Sequence, residues 1–286
     1  MLLEILGIDA GNFETKIFGK GGPMKFPSLI GEYREFNLDV HMKEYDFIFE
    51  YNGKKGFAGT LAERESELAA SIFTTSKAHD ELILRVLIAI HKYSNDNKFK
   101  IIIGQPISKH TPEQKTKMKE MIKGEHEITI NNVTKKINIE RVEVAAEGAA
   151  AYWSNPVYKG KVHVIDVGSG TINCATLLDG DYIDRDSFTL SFGMETLKNK
   201  DLAEISRKIH HEGKRRRWGT SKILVCGGSA EVMFPHLVTK FVDVDLLKPK
   251  YVKKQDNGGM KAEYLSPTYA NAVGFYNIGK VALADE

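Results

Sequence analysis

The chain has 286 residues, 42% hydrophobic and 27% charged, the balance of a soluble globular protein long enough for two modest domains or one large one. A formal net charge of +2 implies no polyanion partner recognised through overall charge, and no run of about 18 apolar residues is present to span a membrane. The two cysteines, Cys174 and Cys226, sit in apolar strand-like runs and read as buried free thiols in a reducing compartment. With no basic-then-apolar leader ahead of the first strand, the expected location is cytoplasmic.

In chain order, Leu3–Ile8 and Thr15–Phe18 predict strands around a tight turn, followed by strands at Lys25–Leu29 and Phe47–Tyr51. Asn52-Gly53 is a hairpin signal, and Gly56–Gly59 continues that hairpin. Leu82, Ile83, Val86, Leu87 and Ile90 recur at helical spacing and predict a helix over Asp80–Tyr93. Lys100–Ile103 reads as a short buried strand, Glu113–Ile122 as a solvated helix, and Glu127–Ile130 with Thr134–Ile139 as a hairpin. After Val142–Val144, the small residues from Glu147 to Trp153 suit a helix packed closely on another helix.

The second half restarts the pattern: Val162–Val167, a turn, Thr171–Leu178, a turn at Asp179-Gly180, and Tyr182–Ser187. A helix is expected from about Glu195 to His210, then a strand over Lys222–Val225 ending in Gly227-Gly228-Ser229-Ala230, where a short helix starts. Lys248 to Gly259 reads as an exposed flexible loop, and Ala270–Val281 as the closing helix.

Two segments look like copies of one device: Leu6-Gly7-Ile8-Asp9-Ala10-Gly11-Asn12-Phe13-Glu14-Thr15-Lys16 and Val164-Ile165-Asp166-Val167-Gly168-Ser169-Gly170-Thr171-Ile172-Asn173. In each, an apolar strand delivers an Asp, and a turn of small residues lets backbone N–H groups approach an anion. Two such hairpins facing each other would clamp a polyphosphate, leaving two carboxylates for a hydrated divalent metal. One Asp-Gly turn is an ordinary hairpin feature; two matched copies point to a tandem α/β duplication with mixed sheets around a nucleotide cleft.

These loops resemble the phosphate 1 and phosphate 2 motifs of the actin, Hsp70 and sugar-kinase superfamily. Glu147–Ala151 resembles its first connecting helix, Leu224–Ala230 its adenosine motif, and Tyr269–Gly274 its second connecting helix, all in family order. Ile101–Ile107, Gly228–Glu231 and Asn271–Tyr276 are similar to the bacterial plasmid-segregation actins of the ParM and AlfA type. The resemblance implies actin-like (ribonuclease H-like) duplicated α/β domains around a nucleotide cleft. Domain I would comprise residues 1–148 plus 274–286, with a small inserted subdomain at about 30–75, and domain II residues 149–273. Between Gly193-Met194-Glu195 and the adenosine motif the chain is short, which resembles AlfA-type proteins lacking the actin subdomain IIB.

The same resemblance implies roles. Asp9 and Asp166 would hold hydrated Mg²⁺ through water, Asp9 also orienting water. Lys16 would neutralise phosphate oxygens, with a solvated strand lysine as the alternative. Gly11 and Asn12 would supply backbone contacts; Gly168, Ser169, Gly170 and Thr171 would wrap the terminal phosphates. Glu147 would position or deprotonate the attacking water, or be only a helix-start Glu favoured by the dipole. Gly227 and Gly228 would seat base and ribose, Ser229 would cap the following helix, and Glu195 would touch the ribose. The base, ATP or GTP, is not selected by any residue.

The implied function is a filament-forming ATPase, self-associating and moving plasmid DNA through a DNA-binding adaptor protein on a plasmid centromere, with no direct nucleic-acid or membrane contact. A small-molecule kinase on the same fold is the alternative. Lys214-Arg215-Arg216-Arg217-Trp218 reads as a solvated helix end or filament contact in preference to a nucleic-acid site.

Overall fold

The computed structural model describes residues 3–69, 80–199, 201–254 and 258–283. The first half supplies nine strands: β1 (Glu4–Ala10), β2 (Glu14–Gly19), β3 (Gly22–Pro27), β4 (Ile30–Glu32), β5 (Asp46–Tyr51), β6 (Lys54–Gly59), β7 (Lys98–Gln105), β8 (Gly124–Ile130) and β9 (Val133–Ala146). They form one sheet in the order β3-β2-β1-β7-β9-β8-β5-β6-β4. Helices α1 (Thr60–Glu65), α2 (Asp80–Tyr93) and α3 (Pro112–Ile122) accompany it. The apolar stripe of α2 is buried at Leu82, Val86, Leu87 and Ile90, as its spacing requires. Thr111 caps α3 by accepting from the Gln114 N–H, with Pro112 in the first turn.

The second half repeats the arrangement with β10 (Lys161–Val167), β11 (Ile172–Leu178), β12 (Asp181–Tyr182), β13 (Phe188–Leu190), helix α4 (Leu202–Arg215), β14 (Lys222–Cys226), helix α5 (Ala230–Leu237) and β15 (Val244–Leu246). Its sheet runs β12-β11-β10-β14-β15, with β13 also on β11. The duplication is visible in the ladders. In each half a hairpin (β1/β2, β10/β11) is antiparallel and its first strand pairs in parallel with a later strand (β7, β14). The register is also shared: Asp9 lies opposite Lys16, and Asp166 opposite Asn173.

Several segments differ from the sequence reading. The stretch from Glu147 does not begin a helix. The Glu147 N–H donates to the Gln105 carbonyl (3.0 Å), continuing the β7/β9 ladder, and only a short 3-10 turn forms at Ala150–Ser154. Helix α4 starts at Leu202, capped by Asp201, and ahead of it the Met194 and Glu195 N–H groups donate to the Gly168 and Ser169 carbonyls. Tyr182–Ser187 is not one strand: β12 ends at Tyr182, a 3-10 turn spans Asp184–Asp186 and β13 starts only at Phe188, while Ser187 Oγ donates to the Ile183 carbonyl and accepts from the Thr176 N–H in place of a ladder. The expected loop after Lys248 instead holds a hairpin of β16 (Lys250–Lys254) and β17 (Met260–Tyr264), anchored by Tyr251 edge-on to Phe18 at 5.3 Å; residues 255–257 lie outside the described residues. Trp218 is not surface-lying: it stacks on His163 at 4.3 Å and donates from Nε1 to the Asp186 carbonyl.

Each half has its own apolar core. The final helix, α6 (Ala270–Ala282), lies against β1, β7 and the 150–154 turn, so it touches both halves. Close approach there depends on Gly274, where a Cβ would lie 2.0 Å from the Ala150 carbonyl oxygen. Gly274→Ala is therefore expected to destabilise the protein by about 2 kcal/mol, as overpacking does, lowering the melting temperature by roughly 4–8 °C. Melting followed by circular dichroism checks this; an unchanged midpoint would mean α6 is not pressed onto that carbonyl.

Candidate functional site

A cleft of about 310 Å³ opens where the two hairpins face each other, within the size range of small-molecule sites. All the residues singled out from the sequence line it. The first hairpin contributes Asp9, Gly11, Asn12 and Lys16; the second, Asp166, Gly168, Ser169, Gly170 and Thr171. Glu147 comes from the end of β9, Glu195 from the segment wrapped on the second loop, and Gly227, Gly228 and Ser229 from the β14–α5 turn. Strand ends deliver the three central carboxylates, and all three are buried: Asp9 is 7% exposed, Glu147 5% and Asp166 5%.

Burial first, then repulsion from Glu147 and Asp9, push the Asp166 carboxyl up to about 7, against the opposing pull of Asn271 and Lys16. Two asparagines that the sequence reading missed hold this arrangement. Asn271 of α6 donates from Nδ2 to Asp166 Oδ2 (2.9 Å) and accepts from the Gly148 N–H (3.0 Å). Asn173 of β11 donates from Nδ2 to Glu147 Oε2 (3.1 Å), while its Oδ1 accepts from the Ile107 N–H and the Thr189 hydroxyl. A signal for Asn173 was present: it follows Asp166 by the same interval at which Lys16 follows Asp9. Asn271 stood out only as an amide among small and apolar helix residues.

Lys16 Nζ lies 4.0 Å from Asp9 Oδ2 and 3.9 Å from Glu14 Oε2, at 8% exposure, so it is not a solvated strand lysine. Lys25, read from the sequence only as the start of a strand, also lines the cleft and pairs with Glu14 at 2.7 Å. Gly227 adopts φ +96°, and a Cβ there would lie 2.5 Å from Asp166 Oδ1, so only glycine lets this turn pass the carboxylate. Ser229 occupies the position before α5, but its side chain makes no capping bond; its N–H donates to the Val167 carbonyl (3.2 Å) instead. Glu147, following a strand, has no helix dipole to favour it, which removes that alternative.

The lining holds five carboxylates and two lysines. That excess of negative charge disfavours a bare polyphosphate and favours one carried with a divalent cation. Among the described residues, no three His, Cys, Asp or Glu side chains are grouped to ligate a metal directly. Mg²⁺ does not require such a cage: it keeps several waters and takes one or two carboxylates alongside phosphate oxygens, a demand that Asp9 and Asp166 fit. At the other end of the cleft, Thr268 Oγ1 is buried without a hydrogen-bond partner among the described residues, near Gly228. A ligand carrying hydrogen-bonding groups would satisfy it.

Comparisons with known proteins bear on the fold and the family. The family of actin-like proteins, by its N-terminal domain, matches residues 7–149, half of the chain. No curated protein sequence matches significantly. Among solved structures, an AlfA filament bound to AMPPNP superposes with a TM-score of 0.72 at 22% identity, covering 99% of this chain and 97% of its own. An AlfA filament from B. subtilis gives 0.71 at 23% identity, covering 95% and 97%, and an archaeal actin homologue 0.75 at 16%, covering 98% and 100%. The fold is thus the actin fold throughout, and by its sequence the chain belongs to the actin-like proteins.

Proposed function

We propose that the chain is a nucleotide-dependent, filament-forming ATPase that drives plasmid DNA segregation through a DNA-binding adaptor protein. The observation that carries this reading is the convergence of Asp9, Asp166 and Glu147, from the two matched hairpins and the strand between them, on one buried cleft. The chain's likeness to filaments of AlfA, one of them bound to AMPPNP, supports both the ligand class and self-association. In this reading residues 1–148 with 274–286 form one domain and 149–273 the other. The single helix α4 among the described residues between β13 and β14 supports a chain without the extra actin subdomain IIB.

ATP, or GTP in its place, would lie with its phosphates between the Gly11–Asn12 and Gly168–Thr171 turns and its nucleoside towards Gly227, Gly228 and Glu195. Mg²⁺, held through water by Asp9 and Asp166, would supply charge neutralisation on the phosphates. Lys16 would offset part of the remaining charge. Glu147 is an oriented acceptor: with Oε2 fixed by Asn173, it would position an attacking water and take its proton. Loss of the terminal phosphate would then bias the two lobes towards a shape the filament holds less well.

Direct DNA binding by the basic run has little support. Arg216 is engaged by Glu212 (2.6 Å) and lies over Phe188, Arg215 pairs with the same glutamate, and Trp218 is in the core. A protein adaptor is the better link to DNA.

Glu147→Gln keeps the shape of the side chain but removes its basicity. Phosphate release is expected to fall by about 100-fold or more, while Mg²⁺–ATP still drives assembly and the filaments outlast wild type. Light scattering, pelleting and phosphate release in one sample measure all three; wild-type turnover would take Glu147 out of the mechanism. Asp166→Asn has two opposed effects. Because the native carboxyl titrates near 7 and the unfolded one near its ordinary value of 3.8, the folded chain binds the extra proton between these limits. The associated stability is full at acid pH and lost as pH rises through about 7. The variant should therefore melt higher than wild type at pH 8 without ligand, with little difference at pH 4, and should lose the stabilisation wild type gains from Mg²⁺–ATP. Retained Mg²⁺-dependent binding would overturn the role given to the second loop.

A further inference from the structure

Behind the first phosphate loop lies a charge that the proposed mechanism does not use. Arg85, in the middle of α2, is 1% exposed. Its guanidinium donates from Nε to the Ser28 carbonyl (3.2 Å), from Nη1 to Asn12 Oδ1 (3.3 Å) and from Nη2 to Glu81 Oε2 (2.8 Å). Ser28 is itself bound to the loop: its N–H donates to the Phe13 carbonyl (2.9 Å) and its hydroxyl shares a hydrogen bond with Thr15 (2.8 Å). One side chain thus reaches the loop twice, through Asn12 and through Ser28.

Burying a guanidinium costs several kcal/mol even when paired, and burial draws Arg85 below its ordinary basicity despite Glu81. An apolar side chain would fill the same space without that penalty, so packing alone does not account for an arginine here. Its hydrogen bonds to Ser28, Glu81 and Asn12 do, and of these only the one to Asn12 meets a side chain that lines the cleft. Arginine has donors only, so the atom of Asn12 that faces it must be the carbonyl oxygen. The amide is thereby fixed in one of its two orientations. Its Nδ2 group has no protein partner among the described residues, and Asn12 lines the cleft.

We infer that Arg85 is a positioning residue for phosphate binding, locking the Asn12 side-chain amide so that its NH₂ faces the cleft as a donor to a phosphate oxygen. The inference rests on the nucleotide reading of the cleft and deepens it: Asn12 acts through its side chain as well as its backbone, and a residue that never touches the ligand sets its polarity. Lysine in this place could not bond Ser28, Glu81 and Asn12 in the same fixed fork.

A double-mutant cycle on Mg²⁺–ATP affinity tests it, using the full chain with R85M, N12A and R85M/N12A, and nucleotide-free melting to establish that each variant is folded. Each single change is expected to weaken binding about tenfold, and the double change no more than either alone, because Arg85 acts through Asn12. R85K should recover part of the loss. If R85M does not fold, R85K takes its place and the same non-additivity is required. Folded R85M that binds like wild type, or a double variant weakened by the product of the two singles, overturns the inference alone. A wild-type chain that binds no nucleotide overturns the functional reading and this inference with it.

Discussion

The carboxylates of Asp9, Glu147 and Asp166 are held in one buried cleft, and their mutual repulsion sets the terms for everything around them. The site is electrostatically strained: burial first, then repulsion from Glu147 and Asp9, push the Asp166 carboxyl up to about 7. The surrounding structure is organised to contain this strain rather than remove it. Asn271 bonds Asp166, Asn173 bonds Glu147, and Lys16 stands near Asp9. Each offsets part of the negative potential of the three carboxylates. The repulsion that remains depends on how close the walls carrying these carboxylates stand.

Those walls belong to different halves of the chain. The first half reaches the cleft from the ends of β1 and β9, the second from the end of β10, and the two cores behind them are separate. The halves are joined by α6 against the 150–154 turn, by Tyr251 edge-on to Phe18, by the Ser108 N–H donating to the Thr189 hydroxyl, and by the two asparagines. Asn173 spans from β11 to the Glu147 carboxylate and the Ile107 backbone of the first half. Asn271 ties α6 to the second loop and to Gly148. The bonds that orient the carboxylates are thus also bonds between the lobes. A change in charge among these carboxylates and a change in the spacing of the halves therefore act on the same contacts.

Much of this was legible in the sequence because it is locally encoded. An apolar strand, an Asp and a small-residue turn fix a hairpin wherever they occur, and the stripe on α2 fixes its buried face. The start of α4 at Leu202 was not legible, because the segment from Met194 is tied by its backbone to the Gly168 and Ser169 carbonyls of the second loop. The break after Glu147 follows the same logic: its N–H continues a ladder with β7. Asn271 looks like an ordinary polar residue until the fold brings a carboxylate to it, and Asn173 is marked in the sequence only by its interval from Asp166. In each case local propensity was overruled by a partner distant in the chain.

Charge shows the contrast most sharply. The conspicuous cations, Lys214 to Arg217, draw attention because they are consecutive, yet consecutive residues at a helix end meet their own neighbours first. Glu212 takes Arg215 and Arg216 at helical spacing, and Phe188 takes the face of Arg216. Arg85 has no such neighbours in sequence except Glu81, and sits in a run of apolar residues where a charge is costly. A cation placed there must be answered by groups that only the fold supplies, and those groups are Asn12 and Ser28, on and beside the first loop. An isolated charge inside a buried stripe therefore says more about the site than a dense run at the surface, because its cost can be met only by specific tertiary partners.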